Sequence, residues 1–322
     1  VRQHVRRGPA ARPLSGFTLI ELLIALALGM VVLGAAMSFL ITHMRSVEGS
    51  DIRENVQRNI RYVAEMLHRD LQMVGIDIKT TASFGTLVSF PGSPGDTLIV
   101  LYIPGSPTSA PAHEIDLSAL PEPPAGEGTC GDRCLDLLAA DVSTLELAPG
   151  DLARLQVDGV RRLILISDIT AVSSTQFRLE FTDADTLLHH PASLVGNLQV
   201  KIPGTFVQKL QPIIFYLDDQ ERLLRARKLN SNGTPAGEVA AYGVEQFDVA
   251  LSFADGDEAP RANPDDADVS NDCDDVIGAV VNFTVKAPRA DPRVNHGELL
   301  RKSAEVRVSP RNLSYEKDRR GG

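Results

Sequence analysis

Behind an arginine-bearing leader the chain reads GFTLIELLIALALGMVVLGAAMSFLI from Gly16 to Ile41, an apolar segment interrupted by one carboxylate, Glu21. The stretch from Leu22 to Ile41 is almost wholly apolar or small. Its roughly 20 residues, at about 1.5 Å of rise each, suffice to cross a hydrocarbon core about 30 Å thick. A charge at the centre of such a helix costs about 2.5–3.5 kcal/mol, so Glu21, near its start, needs a compensating partner or a functional role.

A cut between Gly16 and Phe17 would supply that partner, because it places a new ammonium one helical turn ahead of Glu21, in the same chain or in a neighbour. The leader carries Arg2, Arg6, Arg7 and Arg12 and no acidic residue, which under the positive-inside rule leaves it cytoplasmic and everything beyond about Met44 outside. An ordinary secretory signal would be cut behind its apolar core and the core discarded.

The string Gly16, Phe17, Thr18, Leu19, Ile20, Glu21, Leu22 resembles the class III signal of type IV pilins and type II secretion pseudopilins. The resemblance implies a prepilin peptidase that cuts after Gly16 and N-methylates Phe17. It also implies that Glu21 neutralises the amine of an adjacent subunit and sets register during assembly. Further stretches are similar to the PilW family of minor pilins: Asn59 to Ile76, PIIFYL from Pro212, ERLLRARKL from Glu221, GVEQFDVALSFADGD from Gly243, and RVSPRNL from Arg307 to Leu313. That likeness implies a minor pilin that primes pilus assembly and lies at or near the pilus tip. Its expected partners are other minor pilins, the major pilin and a tip adhesin. Its expected location is the inner membrane, single-pass with a periplasmic C-terminal domain, and then the pilus. A GspJ-like pseudopilin of type II secretion shares Gly16 to Glu21 and is the alternative, which the C-terminal likeness disfavours.

Past the membrane segment the helical pattern continues. Ile52, Val56, Ile60, Val63, Leu67, Leu71 and Val74 form one apolar stripe. The other face is charged, with Glu54 to Arg58 and Glu65 to Arg69 at i, i+4 spacing. Gly75 follows as a stop. The apolar stripe requires a sheet laid across it. Short β-rich runs supply one: Thr97 to Ile103, Leu152 to Val157, Arg162 to Ser167, Gln176 to Phe181, Ile213 to Leu217, Phe247 to Phe253, Val276 to Val285 and Ala304 to Val308. The expected class is therefore α+β, with a pilin-like long helix, half transmembrane and half amphipathic, packed on a mostly antiparallel C-terminal sheet domain. The expected divisions are a cleaved leader 1–16, an assembly helix 17–44, its amphipathic continuation 45–75, a β-rich domain 76–314 and a disordered tail 315–322.

Two stretches read as irregular. The proline-rich insertion 104–128 is expected to be a surface excursion. The acidic stretch 254–275 is expected to be a solvated loop, with Asp255, Asp257, Asp266, Asp268 and Asp272 as the oxygen ligands if it takes Ca²⁺, although no EF-hand pattern is present. No cofactor is otherwise indicated. Cys130 and Cys134, four apart in CGDRC, suit a local disulfide in an oxidising compartment; Cys273 paired with either is the alternative. Zinc would need further ligands at suitable spacing, and His189 and His190 are not so placed.

Removing the leader arginines takes the net charge from −10 to −14, which argues against nucleic acid as a partner. The sequence holds no GxSxG, HExxH or phosphate loop, so an anchored periplasmic enzyme is not the expected reading. Direct adhesion to sugars is disfavoured too, since the chain has no Trp and only 5 Tyr for an aromatic platform. Gly29 and Gly34 are the helix's weak points or its close-packing positions, each costing about 1 kcal/mol relative to Ala.

Overall fold

The computed structural model describes residues 18–105, 110–115, 125–127, 133–157, 160–183, 199–201, 205–230, 232–264, 267–292 and 294–314. It divides into two units, residues 1–52 and 53–322. One helix, α1 (Leu19–Leu71), runs through 53 residues. From Leu22 to Ile41 this helix is apolar on every side and solvent-facing: Leu22, Val31, Leu33 and Phe39 are all exposed. Within the helix the Thr42 hydroxyl Oγ1 donates to Ser38 O at 2.9 Å, so it requires no water. A Cβ added at Gly29 or Gly34 meets nothing within 4 Å, so neither glycine serves packing inside the chain.

In the second unit the expected stripe is present. Val56, Val63, Leu67 and Leu71 are buried while Arg58, Arg61, Glu65 and Arg69 face solvent. Regular helix ends at Leu71, four residues before the expected stop, because the hydrogen bonds tighten: Met73 N donates to Asp70 O and Val74 N to Leu71 O, both i to i−3. Gly75 then turns the chain with φ +70 and donates its N–H to Leu101 O at 3.0 Å.

The strands in chain order are β1 (Leu87–Phe90), β2 (Thr97–Tyr102), β3 (Ala112–Glu114), β4 (Ala125–Glu127), β5 (Cys134–Leu138), β6 (Leu152–Val157), β7 (Val160–Ala171) and β8 (Gln176–Asp183). They continue as β9 (Gln199–Lys201), β10 (Phe206–Leu217), β11 (Arg222–Leu229), β12 (Pro235–Tyr242), β13 (Val244–Phe253), β14 (Glu258–Ala259), β15 (Val276–Lys286) and β16 (Arg301–Val308). All eight expected strands are present, several of them longer than their apolar cores, and every described strand pairing is antiparallel.

The long strand β10 organises the domain. Its C-terminal half pairs with β2 and β11, giving the layer β1-β2-β10-β11-β12. Its N-terminal half pairs with β3 and β6, giving β3-β10-β6-β7-β8-β5. An antiparallel bridge between Ile115 and Leu137 returns β5 to the end of β3, so these six strands curl around their own core. That core holds Leu135, Leu137, Leu155, Ile164, Phe181 and Val207. In the first layer, Phe215 lies opposite Arg225, which reaches Asp70 on α1; the face carrying Leu98, Val100, Ile213 and Phe215 therefore looks at the helix. Alternation sends Ile99, Leu101 and Ile214 to the other face, into a second cluster with Leu152, Leu163 and Leu210.

Strands β13 to β16 form a separate sheet in the order β14-β13-β15-β16, and β4 pairs with β9. Asp96 ties the former sheet to the turn before β2: its N–H donates to Phe247 O and its carboxylate accepts from Val249 N, both at 2.8 Å. A Cβ at neighbouring Gly95 would lie 2.9 Å from Leu217 Cδ1 and 3.1 Å from Phe247 O, which leaves room for glycine alone.

Two expectations about irregular segments need correction. The proline-rich stretch is not wholly a surface excursion: Ala110 and Ile115 are buried, and β3 within it pairs with β10, because prolines exclude a central strand but not a short edge strand. The acidic stretch is not wholly solvated either, since Asp275 is buried and β14 pairs with β13.

Candidate assembly site at the N-terminal helix

Thr18 and Glu21 close the first turn of α1 on each other. Thr18 N and Thr18 Oγ1 both donate to Glu21 Oε2 at 2.9 Å, and Glu21 N donates to Thr18 Oγ1 at 3.3 Å. This is a capping box, legible in the sequence as Thr-x-x-Glu, which satisfies two of the helix's orphan donors without solvent. The sequence reading paired Glu21 with a new terminal ammonium, in the same chain or in a neighbour, and overlooked its bond to Thr18. Glu21 Oε1 takes no hydrogen bond among the described residues, so one oxygen is committed to the helix and the other stays open to a cation.

Gly16 and Phe17, the expected cleavage and methylation positions, lie outside the described residues, as do the rest of the leader and the tail 315–322. The N-terminal pattern itself is diagnostic. Residues 14–37 match the prokaryotic N-terminal methylation motif. The chain thus carries a type IV prepilin-like amino terminus followed by a helix long and apolar enough to cross a membrane. No curated protein matches the chain. Among solved structures, a type IV-like pilin from Thermus thermophilus aligns over 80% of this chain and 97% of its own, at 11% identity and a TM-score of 0.35. So low a score carries no argument, and the fold rests on the elements described above.

The other expected sites fare unevenly. Cys134 is disulfide-bonded, Cys130 lies outside the described residues, and Cys273 is a half-buried thiol whose backbone N–H donates to Ala82 O at 3.0 Å. Of the expected calcium ligands, Asp266 lies outside the described residues. Asp272 joins Asp274 and Asp275, with carboxylate oxygens within 4.8 Å of one another. Asp255 and Asp257 are not in that group: Asp255 accepts its bond from Asp257 N at 3.0 Å. Asp268 is also outside it. Hydrogen bonds from Ser270 hold its carboxyl below the usual range. The grouping comes from the turn after Asn271, which no ligand-spacing pattern announced.

The sequence reading also missed a buried ion pair. Asp70, only 2% exposed, lies at the end of α1 with Oδ2 2.6 Å from Arg225 Nε, while Arg69 Nε reaches its Oδ1 at 3.3 Å. The Arg225 N–H does not point along the line to that oxygen, so the contact is electrostatic rather than a hydrogen bond. Both partners sit in runs that read as ordinary surface charge, which hid them.

Proposed function

We propose that the chain is a minor pilin of a type IV pilus that primes assembly and resides at or near the pilus tip with other minor pilins, supporting pilus biogenesis, twitching motility and adhesion. The observation that carries this reading is the apolar half of α1, exposed on every side in the isolated chain and headed by a capped carboxylate. In a bilayer, lipid covers that surface; once the helix is extracted, about 20 apolar residues have to be buried against other helices. A core of parallel helices from the major pilin and other minor pilins does this.

Within such a core Glu21 supplies register. Its Oε2 stays with Thr18, and its open Oε1 accepts the ammonium of a neighbour's Phe17 after prepilin peptidase has cut behind Gly16 and methylated the new terminus. A buried ionic pair of this kind is best suited to specifying geometry rather than adding stability. The protein then begins in the inner membrane with residues beyond about Met44 in the periplasm, and passes into the pilus. A local Cys130–Cys134 disulfide belongs to the same periplasmic reading.

The test is mass spectrometry of the amino terminus from cells with and without prepilin peptidase. N-methylated Phe17 appearing only with the peptidase is the expected result; an uncut leader, or a cut beyond Ile41, refutes pilin processing. A non-reduced tryptic digest of the same sample should hold two peptides joined across the cut at Arg133. Glu21→Ala should be processed normally yet reduce pilus number, and wild-type piliation and twitching in that strain would remove the register role. Lost secretion with intact piliation would move the protein to a type II secretion pseudopilus.

A further inference from the structure

One edge of β10 is shared by two strands in succession. Residues 206–210 pair with β6 and residues 214–217 with β11, so between these runs that edge has no partner. Pro212 lies in the gap. Leu101, directly opposite it on β2, donates its N–H to Thr86 O at 2.8 Å and accepts at its carbonyl from Gly75 N at 3.0 Å, both away from β10. The Leu101 and Pro212 pair is therefore a non-hydrogen-bonded one, and the Pro212 nitrogen turns to the unpaired edge, where a donor would have been stranded.

A cleft of about 680 Å³ opens at this gap, within the usual size of a small-molecule site. Gln211 lines it, with Tyr62 from α1, Tyr102 from β2, and Arg225, Arg227 and Lys228 from β11. Three basic side chains converge here in a chain of net charge −10. Two acidic residues also border the cleft: Asp151 is neutralised by Lys209 at 2.6 Å, and Glu238 is exposed opposite Arg225. Asp70 holds Arg225, whereas Arg227 and Lys228 have no ion-pair partner among the described residues. Arg225 Nη2 is buried and makes no hydrogen bond among the described residues. Two of the chain's 5 tyrosines meet in this one cleft. Burial pushes the Tyr102 phenol up; the charge of Arg227 pulls it back, that of Asp70 adds to the rise and that of Arg225 opposes it.

We propose that this cleft binds a small acidic sugar, a uronate or a sugar phosphate. Arg227 and Lys228 hold the anion by charge-assisted hydrogen bonds. The C–H face of the sugar lies on Tyr62 and Tyr102, whose hydroxyls, with Gln211 Oε1, meet its hydroxyl rim, while Gln211 Nε2 is held by the Arg227 and Pro212 carbonyls. The cleft is built entirely from residues 53–322, so this assignment does not depend on assembly through the N-terminal helix.

The experiment is isothermal titration of the full chain in detergent micelles with D-glucuronate, glucose 6-phosphate, glucose, inorganic phosphate and glutarate. At least one acidic sugar should bind tenfold or more tightly than glucose, phosphate or glutarate, and more weakly as salt rises. Glucuronate alone identifies a uronate site, and glucose 6-phosphate alone a sugar-phosphate site. The double variant Arg227→Gln/Lys228→Gln, altered only at exposed side chains, should lose at least tenfold with an unchanged melting temperature, and Tyr62→Ala should weaken the sugars but not phosphate. The proposal fails if neither acidic sugar binds or if the double variant binds as wild type. It fails equally if phosphate or glutarate binds as well as the sugars, since the aromatic wall would then contribute nothing.

Discussion

Removing the Asp70 carboxylate should destabilise the second unit more than its place on a charged helix suggests. Asp70 is 2% exposed and its Oδ2 lies 2.6 Å from Arg225 Nε, whose side chain is 17% exposed. Deleting one member of a buried pair typically costs about 3–5 kcal/mol, because the other charge is left without compensation. Arg225 opens onto the cleft, where water can reach part of the guanidinium, and Arg69 keeps its own exposed side chain hydrated, so a figure of about 2–3 kcal/mol is expected for Asp70→Leu. Replacing both residues, Asp70→Leu with Arg225→Met, should recover much of that loss, since no charge is then left unpaired and the Met packs beside Phe215. The assay is a double-mutant cycle by urea denaturation of the full chain in micelles, with equal m-values required. Additive single losses, or a cost below about 0.5 kcal/mol for Asp70→Leu, would refute the reasoning and make the pair an incidental surface contact.

Gly75→Ala should lower the stability of the second unit by about 1–2 kcal/mol, because φ is +70 and the new methyl would lie 3.2 Å from Leu313 Cδ2 and 3.3 Å from Thr86 Oγ1; thermal unfolding reads it directly. The Glu245 carboxyl is held below its usual 4.5 by hydrogen bonds from Arg301 at 2.7 and 3.1 Å. A carboxyl depressed on folding stabilises above its unfolded pKa and loses that contribution as pH falls through the folded value. The stability gap between wild type and Arg301→Gln should therefore be present at pH 7 and close below pH 4.5; a gap that persists at pH 2–3 contradicts the assignment. Gln in place of Arg227 removes a charge that pulls the Tyr102 phenol down, so Tyr102 should ionise at higher pH in that variant, as read by ultraviolet difference titration against Tyr102→Phe.

The sequence was most legible where one face of an element is simple. The helix stripe from Val56 to Leu71 and the runs Leu152 to Val157 and Val276 to Val285 showed their period or their β-branched density directly, and each forms as read. It was least legible where charge points inward. The β11 segment RLLRARKL carries Arg225 to Asp70 and Arg227 and Lys228 to the cleft, so the usual alternation of apolar and polar positions is masked and the pattern announces no strand there. Short CLDLL, now β5, was read only for its cysteine, and Asp136 within it is buried by a two-bonded contact with Arg178 at 2.9 and 3.0 Å. At the amino terminus the sequence displayed both Thr18 and Glu21. Attention to the charge alone missed that they cap one turn.

Pro212 shows how a correct local rule can coexist with the wrong element boundary. A proline inside a strand removes a ladder donor, so the expected strand began after it, at Ile213, whereas β10 runs through it from Phe206 to Leu217. The rule is obeyed in another way: the Pro212 nitrogen faces the one stretch of that edge where neither β6 nor β11 is present to accept a bond. Were the edge continuous, proline there would cost a hydrogen bond. Because it is divided, proline costs none and keeps either neighbour from extending its ladder across the gap. The same residue that obscured the strand in the sequence thus marks the gap between β6 and β11, and it lines the cleft together with the three basic side chains.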